Sequence, residues 1–161
     1  MDRICLLLQA SEKGAMNKQV ANVHLHYVHA KKNKCVFWDR NITIPLKRQE
    51  QIKGNYLYIY EKVYGVQFRF TIVDFYDGQT EYQKILDTPS LKQCLPKCRE
   101  YKGSDLEKVK RGKKCKTFIR LTAPMLIGPY EIDDFIREDG SPLKRDYLRE
   151  NGAYVKAMEA D

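Results

Sequence analysis

The chain has 161 residues, 43% of them hydrophobic and 31% charged, a balance that suits one globular domain and excludes a disordered or low-complexity chain. Its apolar runs are far shorter than the roughly 20 residues that cross a bilayer. The five apolar residues after Met1-Asp2-Arg3 do not make a secretory signal, so an intracellular, cytoplasmic protein with no membrane segment is expected.

In chain order, residues 3–9 read as a strand buried on both faces, because their apolar run is continuous. Ser11-Glu12-Lys13-Gly14 reads as a turn. Residues 20–30 fit helix or strand, and the alternation of Val23, Leu25 and Tyr27 with His24 and His26 favours strand from Val23. A short strand follows over 35–38. Asn41 to Pro45 then leads into a short helix over 46–52, and Gly54-Asn55 marks a sharp turn. Residues 56–60 and 66–76, joined by a turn at Tyr64-Gly65, pair as an antiparallel hairpin or meander. Thr88-Pro89-Ser90 opens a helix that Pro96 interrupts. Ser104 and Glu107 have the spacing of a capping box, which predicts a short basic helix over 105–111 that Gly112 ends. A strand over 117–121, one or two helical turns over 129–136, a helix over 141–150 begun by Ser141-Pro142, and a final strand over 153–157 complete the chain. This order is neither the strict alternation of a doubly wound fold nor all-β. It predicts a single α+β domain over 1–161, a curved or barrel-like mixed sheet flanked by short helices.

The formal charge of +8 is uneven: +4 over residues 1–83, +8 over 84–120 and −4 over 121–161. A concentrated basic segment points to a polyanionic partner, nucleic acid foremost. Lys108, Lys110, Arg111, Lys113, Lys114 and Lys116 place six cations and no acid in nine residues, a run suited to neutralising phosphates and releasing their counterions. Eight of the 18 Phe, Trp and Tyr residues lie between Tyr56 and Tyr76. Period-two geometry puts Tyr56, Tyr58 and Tyr60 on one strand face and Leu57 and Ile59 on the other. Phenols so placed can stack bases or simply fill a core.

The remaining chemistry-bearing residues suggest little. Five cysteines, an odd number at irregular spacing, read as reduced thiols rather than a disulfide framework. Cys94 and Cys98 flank Pro96, and no second tight pair accompanies them or His24, His26 and His29, so no metal is expected. There is no glycine-rich phosphate loop and no nucleophile elbow. Glu131, Asp133 and Asp134 sit at a predicted helix start, where the dipole favours acids.

The segment Val36-Phe37-Trp38-Asp39-Arg40-Asn41, then Ile52-Lys53-Gly54-Asn55-Tyr56-Leu57-Tyr58-Ile59-Tyr60, then the long strand from Gly65 to Asp77, resembles the first half of EVE-type domains of the PUA-like superfamily, relatives of YTH and ASCH domains. The later strand and short helix resemble their second half, and Asn55 stands where the family has aspartate. The resemblance covers roughly residues 3–136. It implies a curved sheet or barrel of five to six strands, and a pocket for a flipped base, with a methylated base among the candidates. By position, Trp38 would wall that pocket and Asn41 would bond the base edge. Tyr58, Tyr60 or Tyr64 would form the opposite wall, and the basic segment would hold phosphates. The expectation is a non-enzymatic nucleic-acid reader of DNA or RNA without a cofactor, such as the specificity domain of a modification-dependent restriction system. A longer protein with an ATPase or nuclease domain would then carry it. The alternatives are a small ASCH-like nuclease acting on RNA through the carboxylates at 131–134, or a protein-interaction domain using the tyrosine face.

Overall fold

The computed structural model describes residues 3–10, 22–96, 117–149 and 151–158. The elements are β1 (Ile4–Gln9), α1 (Asn22–Asn33), β2 (Val36–Arg40), α2 (Leu46–Ile52), β3 (Tyr56–Glu61), β4 (Gly65–Asp77), α3 (Tyr82–Asp87), α4 (Pro89–Lys92), β5 (Thr117–Tyr130) and β6 (Ala153–Lys156), with 3-10 turns at Ile132–Asp134 and Arg145–Tyr147. The six strands form one mixed sheet in the order β2-β5-β4-β3-β1-β6, so the chain is α+β. Only β1 and β3 run parallel; every other neighbouring pair is antiparallel.

The sheet curls strongly. β1 and β2 stand four places apart in its order, a separation of roughly 19 Å in a flat sheet, beyond the reach of any arginine side chain. Along the strands the two ends are also far apart. Gln9 pairs with Tyr60 and through it with Val66, while Arg40 pairs with Thr117 and through it with Asp77, at the other end of β4. Yet Arg40 Nη1 donates to the Gln9 carbonyl. Coiling that brings two corners of a sheet together is what converts an open sheet towards a barrel. The register shifts between β4 and β5 supply local bends for it.

The concave side holds the main core, in which Leu6, Leu8, Leu57, Ile59, Phe70 and Leu121 meet Val23 and Ala30 of α1 and Ile52 of α2. The convex side carries two further clusters. Cys5, Leu7, Tyr58, Tyr60 and Val155 pack under Ile132, Phe135 and Leu143, and Phe37, Tyr76 and Phe118 pack under α3 and α4. Among the described residues no helix is long and apolar enough to cross a membrane.

Three expectations are corrected. Residues 22–33 are helix, not strand. Val23, His26 and Ala30 form the buried stripe, a helical spacing that the alternating histidines masked, and Lys31 and Lys32 suit the last turn. Residues 141–149 do not form the α-helix expected over 141–150. Pro142 bridges Ile136, and the Leu143 N–H donates to the Phe135 carbonyl. Burying Leu143 outweighs the local Ser-Pro signal. Finally, Cys35 and Cys94 are joined in a disulfide across 59 residues of sequence, which fastens the start of β2 to the segment after α4, whereas Cys5 is a buried thiol outside any disulfide. The Phe37 N–H donates to the Cys94 carbonyl beside it. The predicted helix over 105–111 lies outside the described residues.

Candidate functional site

Strand alternation decides where the expected site residues go. On β2, Val36 and Trp38 face the concave core and Phe37 the convex side. Trp38 is only 4% exposed, its ring 4.6 Å from that of His26, and its Nε1 is buried without a hydrogen-bond partner among the described residues. On β3 the tyrosines do share a face, as their spacing predicts, but it is the convex one. Tyr58 is fully buried, 5.0 Å from the Phe135 ring, and its hydroxyl accepts a hydrogen bond from the Met158 N–H at 3.1 Å. Tyr60 is likewise buried. The sheet therefore lies between Trp38 and these two phenols, which cannot form facing walls of one pocket.

Tyr64 differs. It stands in the β3–β4 turn, 43% exposed, edge-on to the His24 ring at 5.0 Å. That turn is set by Glu61, whose Oε2 accepts from the Val63 and Tyr64 N–H groups. Asn41 is exposed immediately after β2. Lys108, Lys110, Arg111, Lys113, Lys114 and Lys116 lie outside the described residues. The carboxylates at 131–134 are engaged locally: Asp134 accepts from the Glu131 N–H, and Glu131 pairs with Arg145 at 3.1 Å. Among the described residues no group of His, Cys, Asp and Glu could hold a metal ion.

The feature that sequence reasoning missed is a cleft at the Arg40–Thr117–Asp77 end of the sheet. A cavity of about 210 Å³ opens there between the connection into α2 and the turn after β4. This is below the roughly 300–1,000 Å³ of drug-sized ligand sites and suits a single ring system. Its apolar lining is Ile44, Leu46, Phe75 and Tyr76, and Leu46 is 76% exposed.

No family model, curated protein or solved structure matches the chain.

The polar lining of the cleft is braced by backbone. Gln49 Nε2 donates to the Ile44 carbonyl, and Thr117 Oγ1 donates to the Ile42 carbonyl at 2.6 Å. The Asp77 N–H donates to Glu81 Oε1, and the Gln79 N–H donates to Asp77 Oδ1. In sequence, two of the expected elements directly border this lining. Asn41 lies two residues before Thr43 of the lining, and Thr117, which also lines the cleft, directly follows Lys116 of the basic segment. In the sequence, Asp77-Gly78 reads only as a turn, and nothing local marks it as a wall. The cleft exists because β4 ends and β5 begins beside the start of α2 and the connection before it, a long-range relationship with no signature of its own.

Proposed function

We propose that the protein is a non-enzymatic nucleic-acid-binding module that takes a single extruded base into the cleft at the end of β4 and β5 and holds phosphates with the basic segment. The observation that carries this reading is adjacency: the run of six cations leads without a break into Thr117, a lining residue of a cavity with room for one ring. Cations neutralise phosphates and give affinity without sequence preference, whereas an enclosed ring offers stacking and edge contacts that offset the few kcal/mol of extrusion. Leu46, 76% exposed, supplies open apolar surface at the cleft, while Phe75 and Tyr76 border it from opposite faces of β4.

The curled six-stranded sheet with a helix against its concave side is compatible with the PUA-like, EVE-type resemblance. The base site argued here differs from the one that family's pattern would assign to Trp38 with Tyr58 or Tyr60. A methylated base is one ligand to test. In a longer protein with an ATPase or nuclease domain, such a module would serve for targeting. The engagement of Glu131 and Asp134 in local pairs weighs against nuclease chemistry at that place.

The test is fluorescence anisotropy on matched DNA and RNA oligonucleotides, with and without a methylated base, at two salt concentrations. Six phosphate contacts on a single strand give a slope of about −4 in log K against log salt. Neutralising Lys113, Lys114 and Lys116 should shallow that slope by about 2. Absence of binding at low salt would overturn the reading.

A further inference from the structure

We infer that the Cys35–Cys94 disulfide is a redox latch on one wall of the cleft: reduction by a dithiol releases α3 and α4 as a unit and leaves the sheet intact. The topology makes this release local. The chain leaves β4 at Asp77 and enters β5 at Thr117, and these two residues are register partners. α3 and α4 therefore belong to an excursion that starts and ends at one point of the sheet, and no strand pair has to part for them to lift. Among the described residues, the disulfide is the only covalent tie between this excursion and the start of β2.

Beside the bond, the Phe37 N–H donates to the Cys94 carbonyl and His29 Nε2 donates to the Gln93 carbonyl, each at 2.7 Å. Tyr82, Ile85 and Leu91 are buried against Phe37, Tyr76 and Phe118. α3 and α4 contain six and four residues, well below the roughly 12–15 that an isolated helix needs, so they are helical only while docked. The cleft wall depends on that docking. Gln79 and Glu81 stand in the connection into α3, and the Glu81 carbonyl accepts the Ile85 N–H of that helix. Melting α3 frees Glu81, and with it the hydrogen bond that Glu81 Oε1 takes from the Asp77 N–H.

The chemistry is thiol–disulfide exchange. One thiolate of the dithiol attacks a sulfur of the Cys35–Cys94 bond to form a mixed disulfide, and its second thiol displaces the remaining sulfur. Cys35 and Cys94 take up two electrons and two protons, and the dithiol becomes a disulfide. Both cysteines are at most 5% exposed, so exchange proceeds through brief local openings.

The test is hydrogen exchange read by mass spectrometry on protein purified without reductant, after dithiothreitol, after re-oxidation with oxidised glutathione, and on the double variant Cys35→Ser, Cys94→Ser. Alkylation before reduction should leave Cys35 and Cys94 unlabelled and linked in one peptide pair. Reduction should lower the protection of amides over 83–94 by roughly a hundredfold, the closure factor for a loop of about 15–20 residues, while β3 and β4 keep theirs. The double variant should match the reduced protein, and re-oxidation should restore protection. Thiols at both positions that oxidised glutathione does not join overturn the inference. Unchanged protection over 83–94 also overturns it, as does an equal loss in β3 and β4, which would make the bond a staple of the whole domain. None of these readouts involves a ligand, so they test the latch separately from the nucleic-acid reading.

Discussion

Trp38 and Tyr58 face opposite sides of one sheet, the indole against His26 on the concave side and the phenol against Phe135 on the convex side. Each is an aromatic on a strand with period-two alternation, and each looks from its sequence context like part of a ligand surface. Their burial makes them core residues on two different faces. A sheet covered on both sides needs large side chains on both, and β2 and β3 supply them.

Stability rather than base preference should therefore respond to these two positions. Trp38→Ala empties a site in a packed interior and should cost about 3–5 kcal/mol, read as a lower midpoint in urea. Tyr58→Phe removes only the hydroxyl that accepts from Met158 and should cost about 1 kcal/mol. Oligonucleotide affinity of the folded Tyr58→Phe variant should be unchanged. A selective loss of binding with no loss of stability in that variant would restore the phenol to a ligand site.

The Cys35–Cys94 bond closes a loop of 59 residues' separation and fastens α4 over Phe37, Tyr76 and Phe118. Loop-closure entropy for a loop of that size amounts to about 4 kcal/mol. Cys35→Ser with Cys94→Ser should lower unfolding free energy by about that amount, and reduction of the wild type should do the same. Urea titrations with and without a thiol reductant measure it. A shift below about 1 kcal/mol would mean that the bond adds little constraint to the unfolded chain.

What the sequence reveals follows from how local the deciding interactions are. The hairpin of β3 and β4, the helix over Leu46–Ile52 and the turn at Gly54 were legible because alternation, helix-forming residues and a glycine at φ +86° act within a few residues. Helix α1 was misread because His24 and His26 alternate with apolar neighbours, while the stripe that counts, Val23, His26 and Ala30, shows only against a sheet. The Ser141-Pro142 signal was local and lost to the burial of Leu143. Neither the pairing of Cys35 with Cys94 nor the meeting of Thr43, Asp77 and Thr117 in a cleft has a local pattern, since partners lie tens of residues apart.

Two glycines with nearly the same backbone separate conformational strain from packing. Gly54 has φ +86° with nothing within 4 Å of the position a Cβ would take. Gly152 has φ +82°, and its Cβ would lie 2.5 Å from the Leu7 carbonyl oxygen and 2.6 Å from Leu8 Cδ2. Gly54→Ala should cost about 1–2 kcal/mol, the penalty of the left-handed conformation alone. Gly152→Ala adds a clash that β1 and β6 cannot relieve without parting, and should cost about 3 kcal/mol or more. Denaturation midpoints of the two variants compare them directly, and equal costs would show that β6 yields without loss.

Asp74 and Lys53 pair at 3.0 Å between β4 and the end of α2, both partly exposed. Burial pushes the Asp74 carboxyl up, but hydrogen bonds from Lys53 and the Phe75 N–H, with the charges of Lys53 and Arg120, outweigh it and hold it below its ordinary value. A carboxyl depressed in the folded state contributes stability that is present above its unfolded value of about 3.9 and is lost as pH falls through the folded one. Solvent screening keeps the contribution below about 1 kcal/mol. Asp74→Asn should therefore lower the urea midpoint slightly at neutral pH, and the difference from wild type should shrink steadily below about pH 4. A deficit of the same size in acid would assign the effect to packing instead of to charge.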